Sequence, residues 1–402
     1  MNRSRVVITG LGGVCSIGSS AAEIWDSMRN GRCGLGQLTI DRRDLKTNIG
    51  GEIPNLDDSA IDPRQRATMG RFSVLAVLAA KEAFAHAGLD ASAMRFDRAG
   101  AIIGVAVWGA DAVDESYRDV FLENKKRAHI LTVPRAMPAA AAAQVSMALG
   151  LRGPVFGVAS ACSSANHAFS SAVDQIRSGR ADVMLAGGAD APIQYGILKA
   201  WEAMRVLARD GCRPFSNNRD GLVLADGAGV IVMESLEFAQ ARGAKILAEI
   251  VGCGLSADAG DIVSPSIDGP IAAMQACLDD AGLFAADVDY INAHGTATRI
   301  NDRIETAAIR SVFGAHADRL NVSSTKSMHG HCLGASGAIE IIACVNAIQH
   351  GVIPPTIGYV EPDSECDLDV TPNQARERKV DVALSNAFAF GGLNAVIALR
   401  KY

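Results

Sequence analysis

Short apolar runs alternate with longer amphipathic or alanine-rich segments along the whole chain of 402 residues. Apolar runs of about four to eight residues bounded by turn residues are typical of buried strands, and periodic segments of about ten or more are typical of helices. This alternation favours an α/β fold built from layers. The pattern predicts strands at 6–9, 99–105, 154–159, 183–186, 229–234, 246–252, 288–292, 320–323, 382–385 and 395–399. It predicts helices at 21–29, 71–87, 140–149, 164–178, 270–281, 302–313 and 335–349.

A weak internal repeat is present in this pattern. In the first half of the chain, an apolar strand leads through Cys162 into a helix of small residues, and in the second half a similar strand leads through His331 into another. Each helix is followed by an apolar strand and a pair of glycines. The repeat predicts two topologically similar halves, residues 1–245 and 246–402, whose helix N termini meet at the centre. Coincidence in an alanine-rich chain is the alternative.

The composition limits the possible functions. Hydrophobic residues make up 49% of the chain and charged residues 20%, so a large buried core is available and a disordered chain is not expected. The formal net charge of −6 argues against nucleic acid as a partner. A local basic patch that receives an acidic partner is compatible with this charge.

The cysteines and the apolar runs indicate a cellular compartment. The nine cysteines are scattered without a C-x-x-C pair, which favours a reducing compartment over a disulfide framework. No stretch has the apolar length of a transmembrane segment, and the short run near the N terminus is predicted as the first strand rather than a secretion signal. We therefore expect a cytoplasmic protein.

Cys162 is the principal candidate for a reactive side chain. It lies in the segment VASACSSAN at 158–166, where a predicted strand turns into a predicted helix. The N terminus of a helix carries a positive partial charge, which favours a thiolate over a thiol. A free cysteine is more often a buried structural residue. The position at the turn, with two serines after it, favours the reactive interpretation.

Two histidines in glycine-containing loops are candidates for the same site. His294 lies in NAHGTAT at 292–298, after a predicted strand, and His331 lies in KSMHGH at 326–331, before a predicted helix. A histidine near a helix N terminus tends to stay neutral, which suits it to donate a hydrogen bond through Nε2. One cysteine with two such histidines indicates acyl-thioester chemistry. A metal site is the alternative, although it would occupy the nucleophile and the carboxylates show no ligand spacing.

Several motifs together resemble those of β-ketoacyl-acyl-carrier-protein synthases, the type II condensing enzymes. The resemblance covers essentially the whole chain and implies a thiolase-like fold, with two similar halves in a five-layered α-β-α-β-α arrangement. The motifs are VITG at 7–10, ACSS at 161–164, RPF at 213–215, RDG at 219–221, GAG at 227–229, HGT at 294–296, Lys326 with GH at 330–331, and FGG at 390–392 with Asn394.

The resemblance implies a decarboxylative Claisen condensation that elongates a fatty acyl chain. Cys162 would take the acyl group from an acyl carrier protein as a thioester. His294 and His331 would then hydrogen-bond the thioester carbonyl of malonyl-carrier protein and stabilise the enolate that decarboxylation produces. Lys326 would support the two histidines electrostatically.

The resemblance also assigns supporting roles. The backbone N–H groups of Cys162 and Phe390 would form the oxyanion hole, and Phe390 would act as a gate before the thiol. Both substrates would arrive on the phosphopantetheine of acyl carrier protein, with no other cofactor and no metal, and the enzyme would be a homodimer. The remaining assignments are pantetheine binding for Thr296 and Thr298, a buried structural partner for Glu340, and the acyl pocket for Val107 and Trp108. From its place in the run 301–305, at a predicted helix start, Glu305 is a further candidate for a supporting role.

A narrower resemblance and three alternatives follow from the same residues. The segments 160–168, 199–205 and 366–373 resemble synthases that elongate the acyl tails of lipochitooligosaccharide signals. A non-catalytic partner of the chain-length-factor type would lack the nucleophile. A thiolase would need a second catalytic cysteine near the C-terminal glycine pair, where this chain has none. A Cys-His hydrolase would leave one histidine and Lys326 without a role.

Overall fold

The computed structural model describes residues 4–41, 43–90 and 95–402, and its elements follow the predicted pattern. Every predicted strand and helix is present. The strands are β1 Val6–Cys15, β2 Gly36–Gln37, β3 Ile49–Gly50, β4 Ala99–Gly104, β5 Val155–Val158, β6 Val183–Asp190, β7 Gly227–Ser235, β8 Ala248–Ala257, β9 Tyr290–Asn292, β10 Asn321–Ser323, β11 Val352–Ile353, β12 Arg376–Glu377, β13 Val382–Ala389 and β14 Leu393–Arg400. The helices are α1 Ala21–Arg29, α2 Pro63–Arg66, α3 Arg71–His86, α4 Ala110–Tyr117, α5 Thr132–Ala136, α6 Ala140–Leu149, α7 Ser164–Arg177, α8 Tyr195–Met204, α9 Leu236–Ala241, α10 Asp268–Ala281, α11 Arg299–Phe313, α12 Lys326–His329 and α13 Ser336–His350.

Ten strands form one hydrogen-bonded sheet whose two halves have the same topology. The order is β5-β4-β6-β7-β1-β8-β14-β13-β9-β10. In the first half, β4 lies parallel to both β5 and β6, and β7 and β1 follow antiparallel. In the second half, β9 lies parallel to both β10 and β13, and β14 and β8 follow antiparallel. The halves join through β1 and β8, so the expected internal repeat is present in the strand order.

The helices form three layers around these strands. α7 and α13 contact strands of both halves and therefore lie between them. α3 and α6 cover the outer face of the first half, and α10 and α11 cover that of the second. This gives the five layers that the sequence resemblance implied. The predicted division after residue 245 falls between α9 and β8, and as a domain boundary it stays a prediction.

Glycines in two equivalent strands allow the outer helices to pack closely. A Cβ added to Gly12 on β1 would lie 2.0 Å from the carbonyl oxygen of Ala79 on α3. A Cβ added to Gly254 on β8 would lie 2.0 Å from the carbonyl oxygen of Ala273 on α10. Neither position could accept a side chain without separating helix from strand. In the described part of the chain, no helix combines the length and the apolar character needed to cross a membrane.

Candidate active site

Cys162 lies in a tight turn between β5 and α7. The 3₁₀ turn Ala161–Ser163 connects the strand to the helix, and Ala161 has a φ of +50°, in the left-handed region. The same turn recurs before α13, where Leu333 has a φ of +48° and begins the 3₁₀ turn Leu333–Ala335. A left-handed non-glycine residue is costly and indicates a position that the surrounding structure enforces. The repeat therefore brings the entrances of α7 and α13 to the same conformation.

The fold brings together the cysteine and both candidate histidines. Nε2 of His331 lies 3.1 Å from Sγ of Cys162, although the two residues are 169 positions apart in the chain. The ring centroids of His294 and His331 are 5.6 Å apart, with the rings nearly perpendicular. Nδ1 of His331 lies 2.8 Å from Oγ of Ser336 at the start of α13, which orients the ring. All three side chains are buried.

Glu305 on α11 holds the loop that carries His294. Its carboxylate accepts the backbone N–H of His294 at 2.8 Å and that of Gly295 at 2.7 Å, and it accepts the side-chain amide of Asn386 at 3.2 Å. Burial raises the pKa of Glu305 to about 7, against the lowering effect of these N–H donors. Glu305 is thus placed to support the site: its buried carboxylate accepts hydrogen bonds from the backbone of the loop that carries His294.

A buried ion pair lies beside the histidines. The ammonium of Lys326 on α12 contacts the carboxylate of Glu340 on α13, and neither side chain is exposed to solvent. Burial, and then the charge of Lys326, lower the pKa values of His294 and His331 well below the usual range. Both rings are therefore neutral at physiological pH, as the sequence predicted, but burial is the main cause and not a helix terminus.

The thiol of Cys162 is less acidic than its place before a helix suggested. Burial raises the pKa of Cys162 to about 12, and the charge of Lys326 only partly opposes this. The side chain is 6% exposed, so a thiolate would lack solvation in the closed site. The resting form is therefore the thiol, with Nε2 of His331 at hydrogen-bonding distance.

The neutral histidines lead to a prediction about pH. For the malonyl decarboxylation that the sequence resemblance implies, we expect the two histidines to cause no loss of rate between pH 8 and pH 6, because burial and then the charge of Lys326 lower the pKa of both rings well below the usual value. An unperturbed histidine, with a pKa of about 6.5, would be largely protonated at pH 6. Initial rates of CO₂ release across this range test the prediction. Burial raises the pKa of three carboxyl groups into or near this range, to about 7 for Glu305 and Asp190 and about 6 for Asp302. A slope that is lost in Glu305→Gln, Asp190→Asn or Asp302→Asn belongs to that carboxyl group, and a slope that persists in all three contradicts neutral histidines.

A cavity of about 330 Å³ opens onto these three side chains. Thr296 and Thr298 line it, and their hydroxyl oxygens are 3.0 Å apart. Phe390 also lines it, at the end of β13, and its ring stacks on that of Trp201 at a centroid distance of 5.8 Å. The pantetheine, oxyanion and gate candidates from the sequence therefore share one cavity with the cysteine.

The two acyl-pocket candidates lie in different surroundings. Val107 packs against the apolar cluster that contains Cys162 and Leu333. Trp108 does not belong to that cluster or to the residues that line the cavity, and its side chain is 45% exposed. The structure therefore brings Val107 towards the site and leaves Trp108 at the surface of the single chain.

Sequence reasoning missed a third buried carboxylate near the site. Asp190, at the end of β6, accepts the backbone N–H groups of Ala106 at 2.8 Å, Val107 at 2.9 Å and Gly334 at 2.7 Å. It thereby ties the loop after β4 to the turn before α13. Burial raises its pKa to about 7. An acidic residue after the glycine pair at the end of an apolar strand was the available signal.

Comparison with known proteins shows the family. The description "Beta-ketoacyl synthase, N-terminal domain" matches residues 3–239, and "Beta-ketoacyl synthase, C-terminal domain" matches residues 247–360. The chain belongs to the β-ketoacyl synthase family. It is 62% identical over 398 residues to Nodulation protein E of Rhizobium sp. (strain N33), with 99% of each chain covered. It is 40% identical over 407 residues to 3-oxoacyl-[acyl-carrier-protein] synthase 2 of Staphylococcus aureus (strain COL), covering 99% of this chain and 98% of that one.

A solved structure of high similarity gives the same result for the fold. "The ishigamide ketosynthase/chain length factor" superimposes with a TM-score of 0.95 at 35% identity, covering 100% of both chains. The thiolase-like fold is confirmed, and this β-ketoacyl synthase is an acyltransferase-type condensing enzyme. The chain-length-factor alternative is not favoured, because Cys162 is present and contacts His331.

Proposed function

We propose that this synthase elongates an acyl chain held as a thioester on Cys162, by decarboxylative condensation with malonyl-acyl carrier protein. The contact between Cys162 Sγ and His331 Nε2 at 3.1 Å, inside a cavity that His294 also lines, is the observation that carries the proposal. The S. aureus relative carries acyl carrier protein in its name, which supports the same carrier here. The phosphopantetheine of that protein would carry both substrates, and no step below requires another cofactor.

Acyl loading is the first step of this mechanism. The Cys162 sulfur attacks the carbonyl carbon of the acyl thioester, its C–S bond forms as the bond to the carrier sulfur breaks, and the carrier leaves as a thiol. The Cys162 proton passes through the neighbouring His331 Nε2 to the leaving sulfur. The backbone N–H groups of Cys162 and Phe390 would stabilise the tetrahedral oxyanion.

Decarboxylation and condensation follow. The bond between the malonyl carboxylate and the adjacent carbon breaks, CO₂ leaves, and the electron pair forms an enolate whose oxygen accepts hydrogen bonds from the N–H groups of His294 and His331. For this step His331 adopts the tautomer with its proton on Nε2, and its Nδ1 accepts from the hydroxyl of Ser336. The enolate carbon attacks the acyl carbonyl on Cys162, a C–C bond forms and the C–S bond breaks, which releases a 3-oxoacyl-carrier protein. The electron pair of the C–S bond stays on the Cys162 sulfur as a thiolate, which takes up one proton from solvent to become the resting thiol. Burial, and then the charge of Lys326 in its pair with Glu340, keep both rings neutral so that they donate without carrying a charge.

The cavity suggests how the substrates lie. Thr296 and Thr298 would hydrogen-bond the amide groups of the pantetheine arm, since both line the cavity and Thr298 immediately precedes α11 at the surface. The acyl chain would lie against the apolar cluster that includes Val107. Trp108 lies after β4 with its side chain exposed, so it would affect the preferred acyl chain length only from the solvent side of this loop. Its role in the acyl pocket stays a prediction.

Metal binding is the competing use of the same three side chains. Candidate ligand atoms of Cys162, His294 and His331 lie within 4.8 Å of one another, close enough to surround one ion. The ammonium of Lys326 acts on all three side chains, and a positive charge nearby disfavours a second cation. Acyl transfer is the better proposal, because a bound cation would also occupy the nucleophile.

The biological acyl product can be proposed from the relatives. Identity of 62% to Nodulation protein E exceeds identity to the general synthase by a wide margin. Together with the narrower sequence resemblance, this supports elongation of the fatty acyl tail of a lipochitooligosaccharide signal.

The proposed function is tested by intact-mass measurement after mixing the protein with a panel of acyl-carrier proteins. We expect a mass increase that maps to Cys162, with a preferred chain length, and a 3-oxoacyl product after malonyl-carrier protein is added. If no donor acylates the protein and no condensation product forms, the proposal is overturned.

The surface of the first half supports a homodimer as the working unit. β5 and β10 are the two edge strands of the sheet, and β10 is buried whereas β5 is only partly covered. Next to β5, the segment 117–137 exposes large apolar side chains. The residue after it, Pro138, lies close to β5, since a Cβ added to Gly157 would lie 3.0 Å from the carbonyl oxygen of Pro138. An open strand edge flanked by apolar surface is a template for pairing with a second copy of the chain. The exposed side chains are Tyr117, Phe121, Leu122, Ile130, Val133 and Met137.

We expect sedimentation analysis to give a dimer for the protein and a monomer for the double variant Phe121→Asp/Ile130→Asp, because two buried charges would oppose the interface. Phe284→Asp is the matched control, since Phe284 is also strongly exposed (79%) but lies in the second half of the chain. A monomeric wild-type protein contradicts the dimer.

A further inference from the structure

Trp201 on α8 is the aromatic neighbour of Phe390, and the chemistry above gives it no role. The centroids of the two rings are 5.8 Å apart, and their planes are inclined by 25°. Both side chains line the cavity that contains Cys162, and both are half-buried. Stacked aromatic pairs stabilise the observed arrangement beyond the burial of their surface. The stacking therefore favours the position that Phe390 has in this structure.

The Phe390 side of this contact leads into a turn of two glycines. Gly391 and Gly392 follow Phe390 with φ values of +81° and +66°, in the left-handed region that glycine adopts without strain. A Cβ on Gly391 would meet only Ile262 and Leu393, at 3.7 and 3.9 Å, so the Gly391 side of the turn is open, whereas a Cβ on Gly392 would lie 2.4 Å from Cβ of Asp258. A short turn with two glycines is a natural place for a side chain to change position.

The Trp201 side of the contact is fixed. Leu198 anchors α8 in the apolar cluster and is not exposed. The carboxylate of Glu202 accepts the backbone N–H of Thr47 at 2.5 Å, and Lys199 forms an ion pair with Asp44 at 2.9 Å. The helix is thus attached to the segment before β3 on both sides of Trp201. If the two rings separate, the ring of Phe390 is the one that moves.

We propose that Trp201 is a positioning residue that holds Phe390 closed in the cavity and so sets how readily an acyl group reaches Cys162. This rests on the proposed function, in which Phe390 is the gate. A donor that needs the space of the Phe390 ring must separate it from Trp201, so the stacking adds to the barrier for loading. Trp201 would thereby contribute to the choice of acyl donor without touching the reacting atoms.

The test measures how fast iodoacetamide alkylates Cys162, by peptide-resolved mass spectrometry because Cys33 is also free and exposed. We expect Trp201→Ala to react about 2- to 10-fold faster than wild type, the range that one aromatic pair is worth. Trp201→Phe keeps a stacking ring and is expected to react at nearly the wild-type rate. Met204→Ala, on the same helix and 41% exposed, is the control for disturbing α8 and is expected to change nothing.

A double-variant cycle shows whether the two rings act together. We expect Phe390→Ala to accelerate alkylation, and Trp201→Ala/Phe390→Ala to accelerate it no further, because residues that act through one contact are not additive. Additive effects, or acceleration in Phe390→Ala but none in Trp201→Ala, overturn the role of Trp201 and leave the proposed function intact. Melting temperatures are measured for every variant, because a general loss of stability would also accelerate alkylation of Cys162 and would do so in Met204→Ala as well. Failure of every donor to acylate the wild-type protein is instead the result that overturns the proposed function.

Discussion

Replacing Cys162 by alanine is expected to abolish acyl loading and to reduce condensation by several orders of magnitude, because no other side chain in the cavity can form the thioester. Intact-mass analysis after incubation with acyl-carrier protein gives the measurement, and the condensation product is quantified in parallel. The volume change is small and the residue lies in a turn, so we expect the variant to fold.

The matched control is Cys332→Ala, since Cys332 is equally buried and lies close to the site but does not line the cavity. We expect this variant to be acylated like the wild type. Acylation that persists in Cys162→Ala would show that another residue is the nucleophile.

The two histidine variants are expected to separate decarboxylation from loading. His294→Ala and His331→Ala should each slow malonyl decarboxylation by about 10²–10³, because each removes one donor to the enolate oxygen. His294→Ala should still be acylated at Cys162 at a rate near that of the wild type. His331→Ala should be acylated more slowly, since Nε2 of His331 lies 3.1 Å from the thiol.

Release of CO₂ from malonyl-carrier protein and the rate of acylation are measured separately for each variant. His316→Ala is the control, because His316 lies in the second half, its Nε2 contacts the backbone carbonyl of Val288, and its side chain does not line the cavity. Unchanged decarboxylation in both site variants would disprove the pair of donors.

The buried ion pair of Lys326 and Glu340 has a structural role that the sequence alone could not show. Lys326 and Glu340 were assigned supporting roles from the family resemblance, and the structure shows that they contact each other with no exposure to solvent. Removing one partner of such a pair leaves a buried charge and is strongly destabilising. The position of Lys326 thus serves both the folding of the core and the electrostatics of the histidines.

Local pattern predicted most of the architecture. The ten strands of the sheet and the seven long helices follow from apolar runs and helical segments that are readable within about ten to twenty residues of sequence. Several other elements were missed, among them α8, which has ten residues, and α12. α12 has only four residues, so its conformation depends on its surroundings and not on its own propensity.

The sequence by itself determined the repeat, the nucleophile and the two histidine loops as candidates, because each is marked by a local motif at the end of a strand or the start of a helix. Only the tertiary structure decided their chemistry. Burial, which depends on the whole fold, raises the pKa of the Cys162 thiol to about 12 and overrides the helix terminus that local reasoning emphasised. Contacts between distant segments likewise placed Asp190 and Trp201 at the site and left Trp108 at the surface, since proximity across 100 or more residues is set by packing and is not written in any local pattern.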